Sequence, residues 1–276
     1  LSATISEIAP AKLNLALHVR GKLPDGRHSL ETIFAFCTDG DRLRARTSSD
    51  LLVRVSGPFG SDIDIIDARG HPKPNLVLRA ASFLRKAANT EAGAVFDLEK
   101  NLPVAAGVGG GSADAGAALR LLTSLWQIDP ALAQAVAPKV GSDVPACLLS
   151  IPVRGDAAGD QLTAIALPEV SGTPVLLVNP RLPLATADVF ARWDGVDRGP
   201  LADWREGRND LEAPAQALVP QIGEVLSWLS DQSGVTFVRM SGSGATCFAL
   251  FESEDARDLA GAAVPPEWWR LATFLR

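Results

Sequence analysis

The sequence predicts an α+β chain of two domains, a mixed N-terminal domain over residues 1–152 and a ferredoxin-type domain over 153–276. Three observations carry this. Short strand-like runs lead to a glycine-rich segment, Gly107 to Ser112, that opens onto a helical pattern. The texture changes near residue 152, where Gly, Pro and Asp interrupt the chain through Gly172. Beyond that, the remaining elements run in the order βαββαβ.

Taken in order, residues 3–8 and 12–20 read as strands, as do Arg42 to Arg46 and Leu51 to Val55. Pro24-Asp25-Gly26 marks a turn between two such runs. Asn75 starts a helix with Leu76, Leu78, Ala81 and Leu84, and residues 94–99 form another strand. After the glycines, Ala115, Ala118, Leu119, Leu122 and Leu125 share one helical face that ends near Trp126. In the second half, Val175 to Val178 is a buried strand and Leu211 to Leu229 a helix. Val235 to Met240 and Thr246 to Phe251 are strands joined by Ser241-Gly242-Ser243-Gly244-Ala245. Glu254 to Ala262 is a helix and Trp268 to Leu275 the last strand.

Composition removes several classes of function. The net charge of −6 gives no basic field for nucleic acid. Cys37, Cys147 and Cys247 lack CxxC spacing, which argues against a zinc site or a disulfide framework and fits a reducing cytoplasm. His18, His28 and His71 form no metal-binding helical pair. No apolar run reaches the roughly 20 residues that span a bilayer. The opening residues, LSATISEIAPAKLNL, have no basic stretch followed by an apolar one, so no signal peptide is expected.

The segment Pro103-Val104-Ala105-Ala106-Gly107-Val108-Gly109-Gly110-Gly111-Ser112 has the chemistry of a phosphate cradle. Glycine lets backbone approach a ligand, successive N–H groups can face one concavity, and a helix start adds unpaired donors at the positive end of its dipole. It is neither a Walker A loop, because Ser112-Ala113 replaces Lys-Ser/Thr, nor a GxGxxG fingerprint, because Ser112 stands at the final position. The plain alternative is a tight strand-to-helix connection with Ser112 as N-cap. Asp114 would repel a phosphate if it faced the loop, so it is expected to point away. The Ser241–Ala245 loop reads either as a hairpin turn or as a second set of phosphate donors.

Three segments, PAKLNLALHV, LPVAAGVGGGSADAG and MSGSGATCF, together resemble the GHMP kinases in order and separation. Further segments sharpen the likeness: Asp25-Gly26-Arg27-His28-Ser29-Leu30, Asp39-Gly40-Asp41, Asn75-Leu76-Val77, Gly141-Ser142-Asp143-Val144-Pro145 and Asn209-Asp210-Leu211-Glu212. The resemblance implies a ribosomal-protein-S5-like N-terminal α/β domain and a ferredoxin-like C-terminal domain. It also implies ATP as phosphoryl donor with Mg²⁺. Within the family, these segments are similar to the branch that phosphorylates the tertiary 2-hydroxyl of a cytidyl diphosphate of methylerythritol, in non-mevalonate isoprenoid synthesis. The alternatives are a family member acting on homoserine, mevalonate or a sugar, and a non-catalytic nucleotide-binding relative.

Residue by residue, the resemblance makes Asp143 the base that takes the hydroxyl proton and sets Lys12 beside it. From spacing alone, Asp143 reads equally as a turn or helix cap and Lys12 as a solvated strand residue. ATP phosphates would meet Pro103, Ala106, Gly107, Val108, Gly109, Gly110, Gly111 and Ser112, with Asn75 and Lys100 near the adenine. Ser112 is the hydroxyl expected near Mg²⁺, which otherwise rides on ATP. Asn14, Ser241 and Gly242 would hold the acceptor, His28 the cytosine, and Phe190 would stack on it. The family commonly has tyrosine before the histidine; here Arg27 stands there, and the chain has no tyrosine. An arginine plane can stack on a base and pair with a diphosphate. Ala105 likewise replaces a commoner glycine. A cytoplasmic monomer or weak homodimer is expected, without nucleic-acid or membrane partners.

Overall fold

The structure is a computed structural model that describes residues 4–62 and 75–276; His71 lies outside them. The described chain divides into two compact units, and the division is not a single cut. The first holds the residues up to Ala11, Asp39–Val104 and Gly109–Ser150. The second holds Lys12–Thr38, Ala105–Val108 and Ile151–Arg276. One junction, Ser150/Ile151, lies near the expected 152/153 boundary. Long strands carry the chain from one unit to the other, and a cut drawn from local composition does not register them.

Those strands are β1 (Ile5–Lys22) and β2 (His28–Ser48), which pair with each other. The two runs expected at 3–8 and 12–20 are therefore one strand. Residues 9–19 are buried without alternation, so no polar face marks their continuity.

In the first unit, β3 (Leu51–Ser56) pairs in parallel with β4 (Gly93–Glu99), and residues 42–48 of β2 pair antiparallel with β4. Helix α1 (Leu76–Ala87) begins at Asn75, whose side chain accepts from Val77 N at 2.8 Å. Helix α2 (Gly110–Leu125) packs against α1 and against the short α4 (Val144–Leu149). Helix α3 (Pro130–Val140) is capped by Asp129, which accepts from Ala131 N at 2.8 Å. Of the face expected for α1, Ala81 and Leu84 are fully enclosed with Val77 beside them, while Leu76 and Leu78 are half-buried; Leu119 and Leu122 of the expected α2 face are fully enclosed.

In the second unit, residues 32–34 of β2 pair with β5 (Val153–Asp156), which forms a hairpin with β6 (Gln161–Ala164). This hairpin falls in the stretch read as interrupted. Gly159 at φ +82° makes its turn, so the same glycine that suggested irregular chain closes two strands. Next come β7 (Pro174–Asn179), α5 (Thr186–Ala191), α6 (Glu212–Leu218), α7 (Gln221–Ser230), β8 (Val235–Met240), β9 (Cys247–Phe251), α8 (Glu254–Ala263) and β10 (Trp269–Phe274). The sheet order β10-β7-β9-β8 is antiparallel throughout and is the split βαβ arrangement the sequence predicted. The helix expected over Leu211–Leu229 is two helices, broken at Val219–Pro220 because proline cannot donate to the preceding turn. Leu176, Val178, Ile222, Val225, Leu229, Ala249 and Phe251 form the core between sheet and helices.

Candidate active site

The glycine-rich segment is an irregular loop that becomes helix at Gly110. Gly109 is the N-cap at φ +67°, a backbone angle that favours glycine, and no side chain caps the helix. Ser112 is therefore inside the first turn and is not the cap. Its hydroxyl is half-exposed and has no hydrogen-bond partner among the described residues. The N–H groups of Gly110, Gly111 and Ser112 open the helix and have no intrahelical partner. Asp114 lies one turn further in and is 3 % exposed, turned inward as expected.

What it turns onto is a buried ionic triad. Lys100 Nζ donates to Asp114 at 2.8 Å and to Asp41, and all three side chains are almost wholly enclosed. Asp41 also accepts from Asn101 N at 2.6 Å and Leu102 N at 2.9 Å, which fixes the chain entering the loop. A Cβ at Gly110 would lie 3.3 Å from Lys100 Nζ and 3.5 Å from Asp41 Oδ2. A side chain there would press on the triad, so Gly110→Val would disturb the triad as well as the loop. Lys100 and Asn75, expected near adenine, both have partners within the chain. The first is held in the triad, and the second uses its side-chain oxygen to cap α1.

The triad titrates in a definite sense. Burial, aided by Asp41 and opposed by Lys100, pushes the Asp114 carboxyl up to about 8 from its ordinary 3.8. Lys100 is raised despite burial, because the two carboxylates outweigh desolvation. Across that range the folded chain holds a proton at Asp114 that the unfolded chain releases. The resulting stability is present below pH 3.8 and is lost as pH rises through about 8. Asp114→Asn keeps an acceptor for Lys100 and removes this titration. Its stability relative to the parent should rise steadily between pH 4 and 9 in urea denaturation; parallel pH profiles would show that Asp114 does not titrate there.

Asp143 occupies the N-cap position of α4 at φ −86°, ψ −10°, yet its side chain makes no capping hydrogen bond. It is half-buried. The cap alternative read from sequence thus loses its physical basis.

The second unit gathers the residues expected to hold the acceptor. Lys12 and Asn14 share one face of β1, as strand parity requires. Lys12 Nζ donates to Asn14 Oδ1 at 2.7 Å and stands 5.3 Å from the Phe34 ring centroid. Asn14 Nδ2 donates to Thr32 Oγ1 at 2.8 Å, which donates to Ala16 O at 2.7 Å. Lys12 is 3 % exposed and Asn14 2 %, so neither is a solvated or edge residue.

The network extends to the Ser241–Ala245 loop, the β8–β9 hairpin turn. Ser241 Oγ accepts from Asn14 N at 3.1 Å and donates to Gly107 O at 2.9 Å. Gly107, at φ +77°, has no room for a side chain, since a Cβ would stand 2.4 Å from Ser241 O. Ala106 O accepts from Thr246 N at 3.2 Å and Val108 O from Lys12 N at 2.9 Å, so these two fasten the loop to strands. Pro103 is buried at the loop entrance. Ala105 sits at φ +54°, which explains the glycine commoner there and costs an alanine about 1 kcal/mol. Gly242 lies with its Cα side toward Gly107 O and Asn14 Oδ1. Asn209, quoted only for its resemblance, holds this turn by donating to Met240 O and Gly242 O at 2.8 Å each.

His28 stacks on Phe190 with centroids 4.7 Å apart at 29°. Burial, reinforced by the Lys22 charge, lowers the pKa of its imidazole and favours the neutral ring. Trp193 meets His28 edge-on at 5.6 Å, a neighbour that sequence reasoning missed. Its only signal was its place three residues after Phe190. Arg27 is exposed, and its guanidinium is held by Asp25 at 2.8 Å and Asp160 at 2.9 Å.

Among the described residues no group of three or more His, Cys, Asp or Glu could hold a metal ion, and no helix is long and apolar enough to cross a membrane. A glycine loop opening a helix and a ferredoxin-like sheet define the class, a small-molecule kinase. The chain belongs to the GHMP kinase family: residues 75–150 match the family's N-terminal domain and residues 196–271 its C-terminal domain. It is 51 % identical to the 4-diphosphocytidyl-2-C-methyl-D-erythritol kinase of Rhizorhabdus wittichii, over 98 % of this chain and 94 % of that one. Identity is also 51 % to the enzyme of the same name from Novosphingobium aromaticivorans, over 99 % and 93 %. A crystal structure of 4-(cytidine 5'-diphospho)-2C-methyl-D-erythritol kinase matches with TM-score 0.82 at 34 % identity, covering 98 % of this chain and 99 % of the other.

Proposed function

We propose that this chain transfers the γ-phosphoryl group of ATP to the 2-hydroxyl of 4-diphosphocytidyl-2-C-methyl-D-erythritol, giving the 2-phosphate ester and ADP. The observation that carries the reading is similarity along nearly the whole chain to two relatives that share that name. The local chemistry supports it. The helix-opening N–H groups of Gly110, Gly111 and Ser112 take the nucleotide phosphates. Ser112 Oγ, without a hydrogen-bond partner among the described residues, is the group that would help hold Mg²⁺, which arrives with the nucleotide and neutralises phosphate charge.

Asp143 accepts the proton as the hydroxyl oxygen attacks phosphorus and the bond to ADP breaks. Lys12 supplies positive charge for the oxygens of the transferring group, and Asn14 fixes the direction of its ammonium. The neutral His28, with Phe190 against its face, reads the cytosine. Arg27, committed to two aspartates, is left to meet solvent or a phosphate oxygen. A cytoplasmic monomer or weak homodimer fits the three buried free thiols and the net charge of −6.

A coupled assay of ADP release tests the reading against a panel of alcohols. Turnover with the cytidyl substrate and none with homoserine, mevalonate or galactose is expected. Strong turnover with one of those three alone would overturn it, and nucleotide binding without transfer to any alcohol would mark a non-catalytic relative.

A further inference from the structure

Two aromatic nitrogens in the second unit, His28 Nε2 and Trp193 Nε1, are enclosed without a hydrogen-bond partner among the described residues. Their rings are neighbours, edge to face, with centroids 5.6 Å apart at 85°. Phe190 stacks on the His28 ring, so the imidazole is held between two aromatic side chains. A buried polar atom left unpaired costs about 1–3 kcal/mol, which makes two on adjacent rings a pairing that waits to be made. The indole N–H can only donate. An imidazole nitrogen accepts only when the ring is neutral and its proton is on the other nitrogen.

We propose that Trp193 Nε1–H donates to His28 Nε2 and so fixes the proton of His28 on Nδ1, making Trp193 the positioning residue that sets what the histidine reads. The inference deepens the proposed function and rests on its assignment of His28 to the base. The neutral form it requires is the one burial favours. The consequence is selectivity. A proton on Nδ1 meets the N3 acceptor of cytosine, whereas uracil presents its own N3–H there and opposes donor to donor.

The same chain already holds another histidine this way. At His18, Nε2 accepts from Arg208 N at 3.2 Å and Nδ1 lies 3.1 Å from Gly199 O, which places the proton on Nδ1. With three histidines in the sequence, His18 gives an internal reference spectrum.

The test is a long-range proton–nitrogen NMR correlation on protein labelled at the histidine ring nitrogens, with Trp193→Phe as the variant that keeps the ring and loses the donor. His28 should show the Nδ1–H pattern of His18 in the parent and shift toward Nε2–H in the variant. Calorimetry with CDP and UDP should show a parental preference for CDP. That preference should shrink about tenfold in Trp193→Phe, the size of one hydrogen bond. An Nε2–H pattern in the parent, or a variant unchanged in both tautomer and preference, overturns the proposal. If CDP fails to bind the parent, the base assignment fails, while the tautomer spectrum still decides the pairing. If the variant does not fold, the parental spectrum decides it alone.

Discussion

Asp143→Asn is expected to lower kcat by about 10²–10⁴-fold, the usual worth of a positioned base, while ATP affinity stays near that of the parent. The substitution is clean for a structural reason. Asp143 holds the N-cap position of α4 but makes no capping bond, so asparagine takes no side-chain cap from the helix. Asparagine keeps the shape and loses the ability to take a proton from an attacking hydroxyl. Single-turnover kinetics beside fluorescent-nucleotide titration separates the chemical step from binding. A kcat within a few-fold of the parent would remove Asp143 from the role of base. A matching loss of ATP affinity and of melting temperature would point to a folding defect.

Lys100→Met should destabilise the chain by about 3–5 kcal/mol at neutral pH, the cost of removing one partner from a buried ionic group. Methionine fills the space of the lysine stem and leaves Asp41 and Asp114 facing each other with no cation. The urea midpoint should fall sharply, because the Asp41 carboxylate is then buried with no cation beside it. The reading from resemblance, with Lys100 near the adenine, predicts something else: a higher KM for ATP at unchanged stability. Denaturation and kinetics on one preparation tell the two apart. The triad reading follows from geometry. Lys100 is 2 % exposed, and its ammonium already has the side chains of Asp41 and Asp114 as hydrogen-bond partners.

The second-half topology was legible because each element has a local signature. The strands Val175–Val178 and Thr246–Phe251 are short apolar runs, and the helix at Glu254 begins after Ser253, whose side chain accepts from Ala256 N at 3.2 Å. The break at Pro220 was missed although that proline was its local signal, because a proline does not always end a helix: Pro138 lies inside α3. The β5–β6 hairpin was hidden because its glycines read as interruptions of the chain until a turn closes them. The length of β1 was hidden because burial on both faces erases alternation.

The same division runs through the candidate site. By itself the sequence determined that a glycine loop opens a helix, that Lys12 and Asn14 share a strand face, and that His28 follows a tight turn. Each depends on chemistry within a few residues. Only the tertiary structure decided where side chains spend their hydrogen bonds. Lys100 went into an ion triad with residues 59 positions before it and 14 after it, Asn75 capped a helix, and Trp193 came to rest beside His28. Hydrogen bonding is short-ranged in space and indifferent to sequence separation. A residue's type states what it can bind, and the fold alone states what has already claimed it.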